Sequence, residues 1–246
     1  MIRERLLDLD RIAYERNLLK ASGFLSLAEQ EEYHRLEREF RSRHFLTGGY
    51  ESAERKRAVF LPDYLSGEEA AAEVLRIIRI APLNEKFSTH PDHRDYLGAI
   101  MNLGIERDTV GDIILKEPEA FVFCSQTASA VLLPELRRVG RTSVVCSEAA
   151  PGIEQLRPSF EEMKVNAPSE RVDAVTAQVF RLSRNAAEGL CDTDRVSVDG
   201  RLISSGSRKL NAGETVSVRG VGKFIYDGPC GTSRKGRLFV QIRKYV

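Results

Sequence analysis

The 246-residue chain has no C-x-x-C pair, and its four cysteines, Cys124, Cys146, Cys191 and Cys230, stand far apart. That spacing argues against a zinc site or a disulfide framework and for reduced thiols. No apolar run approaches the roughly 18 residues that a membrane span needs. The opening stretch "MIRERLLDLDR" is charged and amphipathic, without the apolar core of a signal peptide. A soluble cytoplasmic protein with no membrane partner is expected. Net charge is nearly absent too, at +1, which taken alone argues against a nucleic-acid partner. That average hides an asymmetry. Residues 171–246 hold 14 Lys and Arg against 7 Asp and Glu, whereas the remaining 170 residues hold 23 against 29. A basic module suited to a polyanion is expected on a more acidic body.

Several chemical signatures are incomplete. "HRD" at 93–95 is the kinase catalytic-loop triplet, but the position that needs Asn is Ile100, and no Gly-rich loop, strand lysine or D-F-G accompanies it. "GVGK" at 220–223 is no phosphate loop, because the upstream glycine position is Ser217 and Phe224 stands in place of Ser or Thr. His90 and His93 lack a third metal ligand at helical spacing, so "HPDHRD" reads as helix-start capping and ion pairing. A second contact to RNA or to a ribosomal protein is the competing reading of that stretch. No catalytic residue, metal or cofactor is expected.

What is present divides the chain into four stretches. Residues 1–72 are expected to be a helical segment with one strand. A first helix reads over 1–22 with a stop at Gly23, a second runs from the Ser26–Glu29 capping box to about residue 42, and "RKRAVFLPDY" is a strand ended by Pro62. Residues 73–150 read as strand (74–83), helix (90–105), two strands (111–116 and 119–125), helix (127–140) and strand (142–148). That order, β-α-β-β-α-β, is ferredoxin-like, the topology of RNA-recognition (RRM-like) domains. "EAFVFCS" lacks their basic-Gly-aromatic signature, so the sheet alone carries little inference to RNA. Residues 149–168 hold three prolines and read as a linker with one short strand (linker 151–168). Residues 169–246 form the basic module. The whole is α+β.

In that module "RVDAVTAQVF" places Val172, Val175 and Val179 on one helical face, and "SRNAAEGLCD" opens a second short helix. "RVSVDGRLI" is a hairpin signal with an Asp199-Gly200 turn, and "NAGETVSVRG" adds a strand carrying Val216 and Val218. A last strand, "RLFVQIRKY", follows the Gly-rich loop "GPCGTSRKG". Val172, Val175, Leu190 and Val196 are expected in the core. Ser183 suits an N-cap, and the free amides of that helix start favour an anion beside Arg184. Small residues at Ala186, Ala187 and Gly189 leave the approach open. Gly189 reads either as close approach to RNA or as an ordinary tolerated glycine. Arg171, Arg184, Arg195, Arg208 and Lys209 are expected along one groove, with Arg219 and Lys223 at its far end. A solvated basic face is the plainer reading of the same charges, extending to Arg201 and Arg237.

These motifs carry a resemblance. "RVDA", "LSRNAA", "VSVDG" and "LNAGETVSV", in that order, resemble the S-four RNA-binding domain, an α-α-β module named after a small-subunit ribosomal protein. The resemblance adds Asp173 and Asn185 to the RNA-binding set. Asp199 departs from it, since Asn usually precedes the hairpin glycine. "FSTHPDHRDYLGAIMNLGIERDTVGDI" (87–113) together with "VSVRGVGKF" (216–224) is similar to the YlmH-type bacterial proteins, across the whole chain. The resemblance implies a cytoplasmic, ribosome-associated, non-enzymatic factor that binds RNA (rRNA and tRNA) on the large ribosomal subunit, as a monomer, with no DNA partner. It further implies a connection with rescue of stalled ribosomes. An RNA-modifying enzyme anchored by this module, and a protein-interaction adaptor with incidental RNA binding, stand as alternatives.

Overall fold

The computed structural model describes residues 2–50, 53–150, 160–232 and 237–245. The chain divides into two units, Met1–Arg157 and Pro158–Val246. In the first unit, α1 (Ile2–Arg16) stops at Asn17, whose φ of +50° is the left-handed conformation that ends helices. The chain then turns into β1 (Lys20–Leu25), where the apolar period predicts helix to residue 22. The Ser26–Glu29 capping box is formed and starts α2 (Leu27–Leu36). This helix is shorter than expected because the buried Asp10 carboxylate accepts the backbone amides of Arg41 and Ser42, fixing an irregular return.

β2 (Arg43–Thr47) and β3 (Lys56–Leu61) complete an antiparallel sheet in the order β1-β3-β2. The expected single strand is thus one of three. A second capping box, Ser66 with Glu69, opens α3 (Gly67–Val74), a helix beyond the two expected in this stretch.

The rest of this unit is β4 (Arg76–Pro82), α4 (His93–Met101), β5 (Val110–Lys116), β6 (Glu119–Cys124), α5 (Gln126–Glu135), β7 (Arg138–Val139) and β8 (Thr142–Ala149). The strands form one antiparallel sheet ordered β5-β6-β4-β8-β7. α5 ends in the turn after Pro134, and Arg138–Val139, expected in that helix, pair with β8 instead. One sheet face, with Ile78, Ile80, Val122 and Val144, packs with Tyr96 and Ile100 of α4 and Leu132 of α5. The opposite face carries Ile77, Phe121 and Phe123, and Phe24 of β1, Leu75 and Tyr50 cover it. Tyr50 and Phe123 lie with ring centroids 4.9 Å apart, and a Cβ at Gly111 would fall 2.5 Å from the Phe24 ring. The carboxylate of Asp112 in β5 accepts the Tyr50 hydroxyl and the amides of Glu54 and Arg55.

The second unit contains β9 (Phe160–Ala167), α6 (Val172–Val179), α7 (Arg184–Asp192), β10 (Val196–Val198), β11 (Arg201–Leu202), β12 (Thr215–Val218), β13 (Gly222–Thr232) and β14 (Leu238–Tyr245). These strands make one antiparallel sheet in the order β11-β10-β12-β13-β14-β9. β9 falls where a linker with a short strand was expected. It is eight residues long and pairs with β14 over its full length, burying Val165 and Ala167. Part of the expected Gly-rich loop belongs to β13, whose register shifts at Tyr226/Gly228 and Pro229/Gly231 absorb the glycines and the proline. Val172, Val175 and Val179 of α6 pack with Cys191 of α7 and with Val196, Val216 and Phe224 of the sheet. Leu190 lies half-buried against this cluster. No helix among the described residues is long and apolar enough to cross a membrane.

Candidate nucleic-acid interface

The start of α6 is held by the segment that precedes β12. Val172 and Asp173 donate their amides to the carbonyls of Arg208 and Gly206, at 2.9 and 3.0 Å, and the Leu210 amide donates to Glu170. Arg171 and Lys209 form an isolated antiparallel bridge. These backbone bonds bring Arg208 and Lys209, some 37 residues further along the sequence, beside Arg171.

At the centre lies Asp173, whose side chain is 0% exposed. Its carboxylate accepts Arg171 Nε at 3.0 Å, Arg171 Nη2 at 2.7 Å and the Ala174 amide at 2.7 Å, with Arg184 Nε 3.7 Å away. Burial pushes its pKa up, but the Arg171 hydrogen bonds, the Ala174 amide and the two guanidinium charges outweigh burial and hold it below the usual carboxylate range. Asp173 is therefore placed to orient Arg171 and Arg184, not to meet a ligand itself. Those two side chains keep 34% and 59% of their surface exposed, so one buried anion aims two cations outward.

Around this centre, Lys209 Nζ lies 2.7 Å from Glu170, and this hydrogen bond, joined by one from the Tyr226 hydroxyl, holds the Glu170 carboxyl below its ordinary value. Arg208 pairs with Glu214 at 2.8 Å. Ser183 caps α7 by accepting the Ala186 amide at 3.1 Å, as the sequence implies. Asn185 and Ala186 are exposed beside it, while Ala187 is buried in the packing between the helices.

Not every expected residue joins this cluster. Arg195 lies beyond the other end of α7, about 15 Å away along the helix axis. There its Nη2 donates to the Arg219 carbonyl, and the Arg219 amide donates back to the Arg195 carbonyl. Lys223 sits on β13 with Nζ 5.2 Å from the Tyr245 ring centroid. Arg195, Arg219 and Lys223 thus belong to a separate edge. Asp199 is engaged internally, accepting the Thr215 amide at 2.8 Å.

Sequence reasoning missed two contributors. Arg181, exposed in the turn between the helices with φ +54°, is a cation three positions before Arg184; its left-handed backbone leaves no mark in the sequence. Gly206 is the other: a Cβ there would fall 2.7 Å from the Asp173 Cβ, so any side chain would push the buried carboxylate away. Beneath the site Cys191 is buried, and burial pushes its thiol up to about 11, which makes it a packing group rather than a nucleophile.

Gly189 has an answer in geometry. A Cβ there would meet nothing within 4 Å, so no packing among the described residues requires glycine. Gly189→Ala is expected to raise stability by about 0.5–1 kcal/mol, the helix-propensity difference. Denaturant unfolding checks this, and a lower midpoint would show that the position serves the fold.

Comparison with known proteins gives the chain relatives. Residues 74–151 match the family model described as "Putative RNA-binding domain in YlmH". The chain is 28% identical over 243 residues to the Ribosome-associated protein quality control protein P2 of Bacillus subtilis (strain 168), covering 98% of this chain and 93% of the relative. These matches bear out the resemblance to the YlmH-type proteins. Among solved structures, the Cell division protein ylmH from Streptococcus pneumoniae is similar, with 23% identity and a TM-score of 0.49, covering 61% of this chain and 89% of that one.

Proposed function

We propose that this chain is a non-enzymatic RNA-binding factor of the bacterial cytoplasm that acts on the ribosome. In this reading residues 169–246, with β9 added, are an S-four-type module that contacts rRNA or tRNA on the large subunit. The observation that carries the reading is the buried Asp173 carboxylate, which aims Arg171 and Arg184 outward beside the Ser183-capped start of α7, with Lys209 alongside. Phosphate oxygens suit that arrangement, because guanidinium groups and helix-start amides both donate to anions. The name of the Bacillus subtilis relative supports a place in ribosome-associated protein quality control, which we read as that of stalled nascent chains.

Residues 73–150 are read as ferredoxin-like. Counting β4, β5, β6 and β8 as strands 1 to 4, their order in the sheet is 2-3-1-4, which supports that reading. The match to an RNA-binding domain model supports a part for this region in RNA binding as well.

Co-sedimentation with ribosomes tests the proposal. Arg184→Ala is expected to shift most of the protein from the ribosomal fractions to the top of a gradient at moderate salt, because phosphate contacts dominate such affinity. Unchanged co-sedimentation would refute the site, and association that survives nuclease treatment would favour a protein-interaction adaptor.

A further inference from the structure

RNA-recognition sheets stack bases on aromatic side chains of the face opposite their helices. In the middle sheet that face is closed: Phe121 and Phe123 are 2% and 0% exposed, beneath Phe24, Leu75 and Tyr50. Any RNA contact by this region must therefore use another surface.

The arginines show where. Half of the eighteen arginines of the first unit are neutralised or held inside the fold. Arg3, Arg5, Arg11, Arg35, Arg76 and Arg79 pair with carboxylates, and Arg55, Arg57 and Arg107 donate to main-chain carbonyls inside the fold. Arg16, Arg38, Arg41 and Arg43 are exposed without a carboxylate partner among the described residues, and so are Arg137, Arg138 and Arg141, which share one hairpin. These last three occupy the hairpin of β7 and β8, at the edge of the sheet.

The start of α4 lies against this hairpin. A Cβ at Gly140 would sit 3.7 Å from the Asp95 carboxylate, and the Thr89 amide donates to Thr142 Oγ1 at 2.9 Å. This brings exposed Arg94 and the "HPDHRD" stretch to the hairpin. The local acids Asp92, Asp95, Glu117 and Glu135 form no ion pair with these arginines among the described residues. Asp92 and Asp95 accept helix-start amides in a capping box, and His90 takes Glu117 at 3.4 Å. An otherwise acidic part of the chain thus presents an edge of four exposed guanidinium groups without a carboxylate partner among the described residues, of which Arg138 donates to the Gly140 carbonyl at 3.1 Å.

We propose that this edge, Arg94 with Arg137, Arg138 and Arg141, is a second RNA contact that grips the phosphate backbone, sequence-independently, while the sheet face serves as core. The proposal rests on the RNA-binding reading but uses no residue of the C-terminal cluster.

The test uses the full chain carrying Arg137→Gln, Arg138→Gln and Arg141→Gln together, with a fluorescein-labelled RNA hairpin as probe and Arg184→Ala in parallel. Exposed substitutions of this kind leave stability nearly unchanged, so an unaltered unfolding midpoint certifies the fold. The triple variant is expected to bind about tenfold more weakly at moderate salt, with the slope of log K against log salt reduced by about 2. Parental affinity and slope in the triple variant would overturn the edge, whatever Arg184→Ala does. A normal triple variant beside a weakened Arg184→Ala leaves the C-terminal site standing alone; the reverse pattern removes that site and keeps the edge. Loss of ribosome co-sedimentation with an unchanged RNA slope would assign the edge to an acidic protein partner and also overturn the proposal.

Discussion

Asp173→Asn is expected to weaken RNA binding about fivefold to tenfold, although it removes a negative charge from the proposed RNA-binding surface. Simple electrostatics points the other way, since one fewer anion strengthens attraction to a polyanion. The buried carboxylate reverses that expectation because it fixes Arg171 through two hydrogen bonds and draws in Arg184. An amide offers one acceptor oxygen and no charge, so both guanidinium groups lose their common anchor and the entropy of ordering them falls on the RNA complex. The fold suffers too: breaking a buried, hydrogen-bonded ion pair costs about 2–4 kcal/mol. The pH dependence has a definite sign. Because Asp173 is held below the ordinary carboxylate range, its stabilisation is fully present above an unfolded value of about 4 and is lost as pH falls through the lower folded value. Asp173→Asn is expected to flatten that acid limb. Filter binding at fixed salt, with unfolding measured across acid pH, checks both parts, and tighter RNA binding would show that Asp173 is not an anchor.

Phe24→Ala is expected to destabilise the first unit by about 3–5 kcal/mol, the cost of a large-to-small change in a packed core. The Phe24 side chain is 1% exposed and packs with Leu75, Ile77, Phe121 and Phe123, against a Gly111 that has no room for a Cβ. The loss should appear as an early unfolding transition of this unit in denaturant. If the sheet face were instead an RNA platform, Phe24→Ala would uncover it with little loss of stability and would strengthen RNA binding.

Much of this organisation is legible in the sequence where the signal is local. The Ser26–Glu29 box, the Ser183 cap and the valine stripe of α6 rest on contacts within a few residues, and the structure contains them. The Ser66–Glu69 box has the same signature but lies just after Pro62 and opens only eight helical residues, too short for a periodic stripe. β1 was hidden because Leu19 extends the apolar period of α1, while the stop is made by the backbone of Asn17. β9 and β13 owe their existence to β14 and to bulges, which only tertiary pairing supplies. At the site, residue types named the cations but not their roles. Burial makes Asp173 an anchor, a distant return of the chain brings Lys209 in, and the length of α7 sends Arg195 elsewhere.

Photo-crosslinking of the full chain to ribosomal RNA, with the attached peptides identified by mass spectrometry, reads the central assignment directly. Crosslinks are expected in the helix start at 181–188 and in the strip around Arg208 and Lys209, disappearing from the first of these in Arg184→Ala. RNA attached elsewhere in the chain, with none between residues 171 and 223, would contradict the assignment of RNA binding to the Asp173-centred cluster.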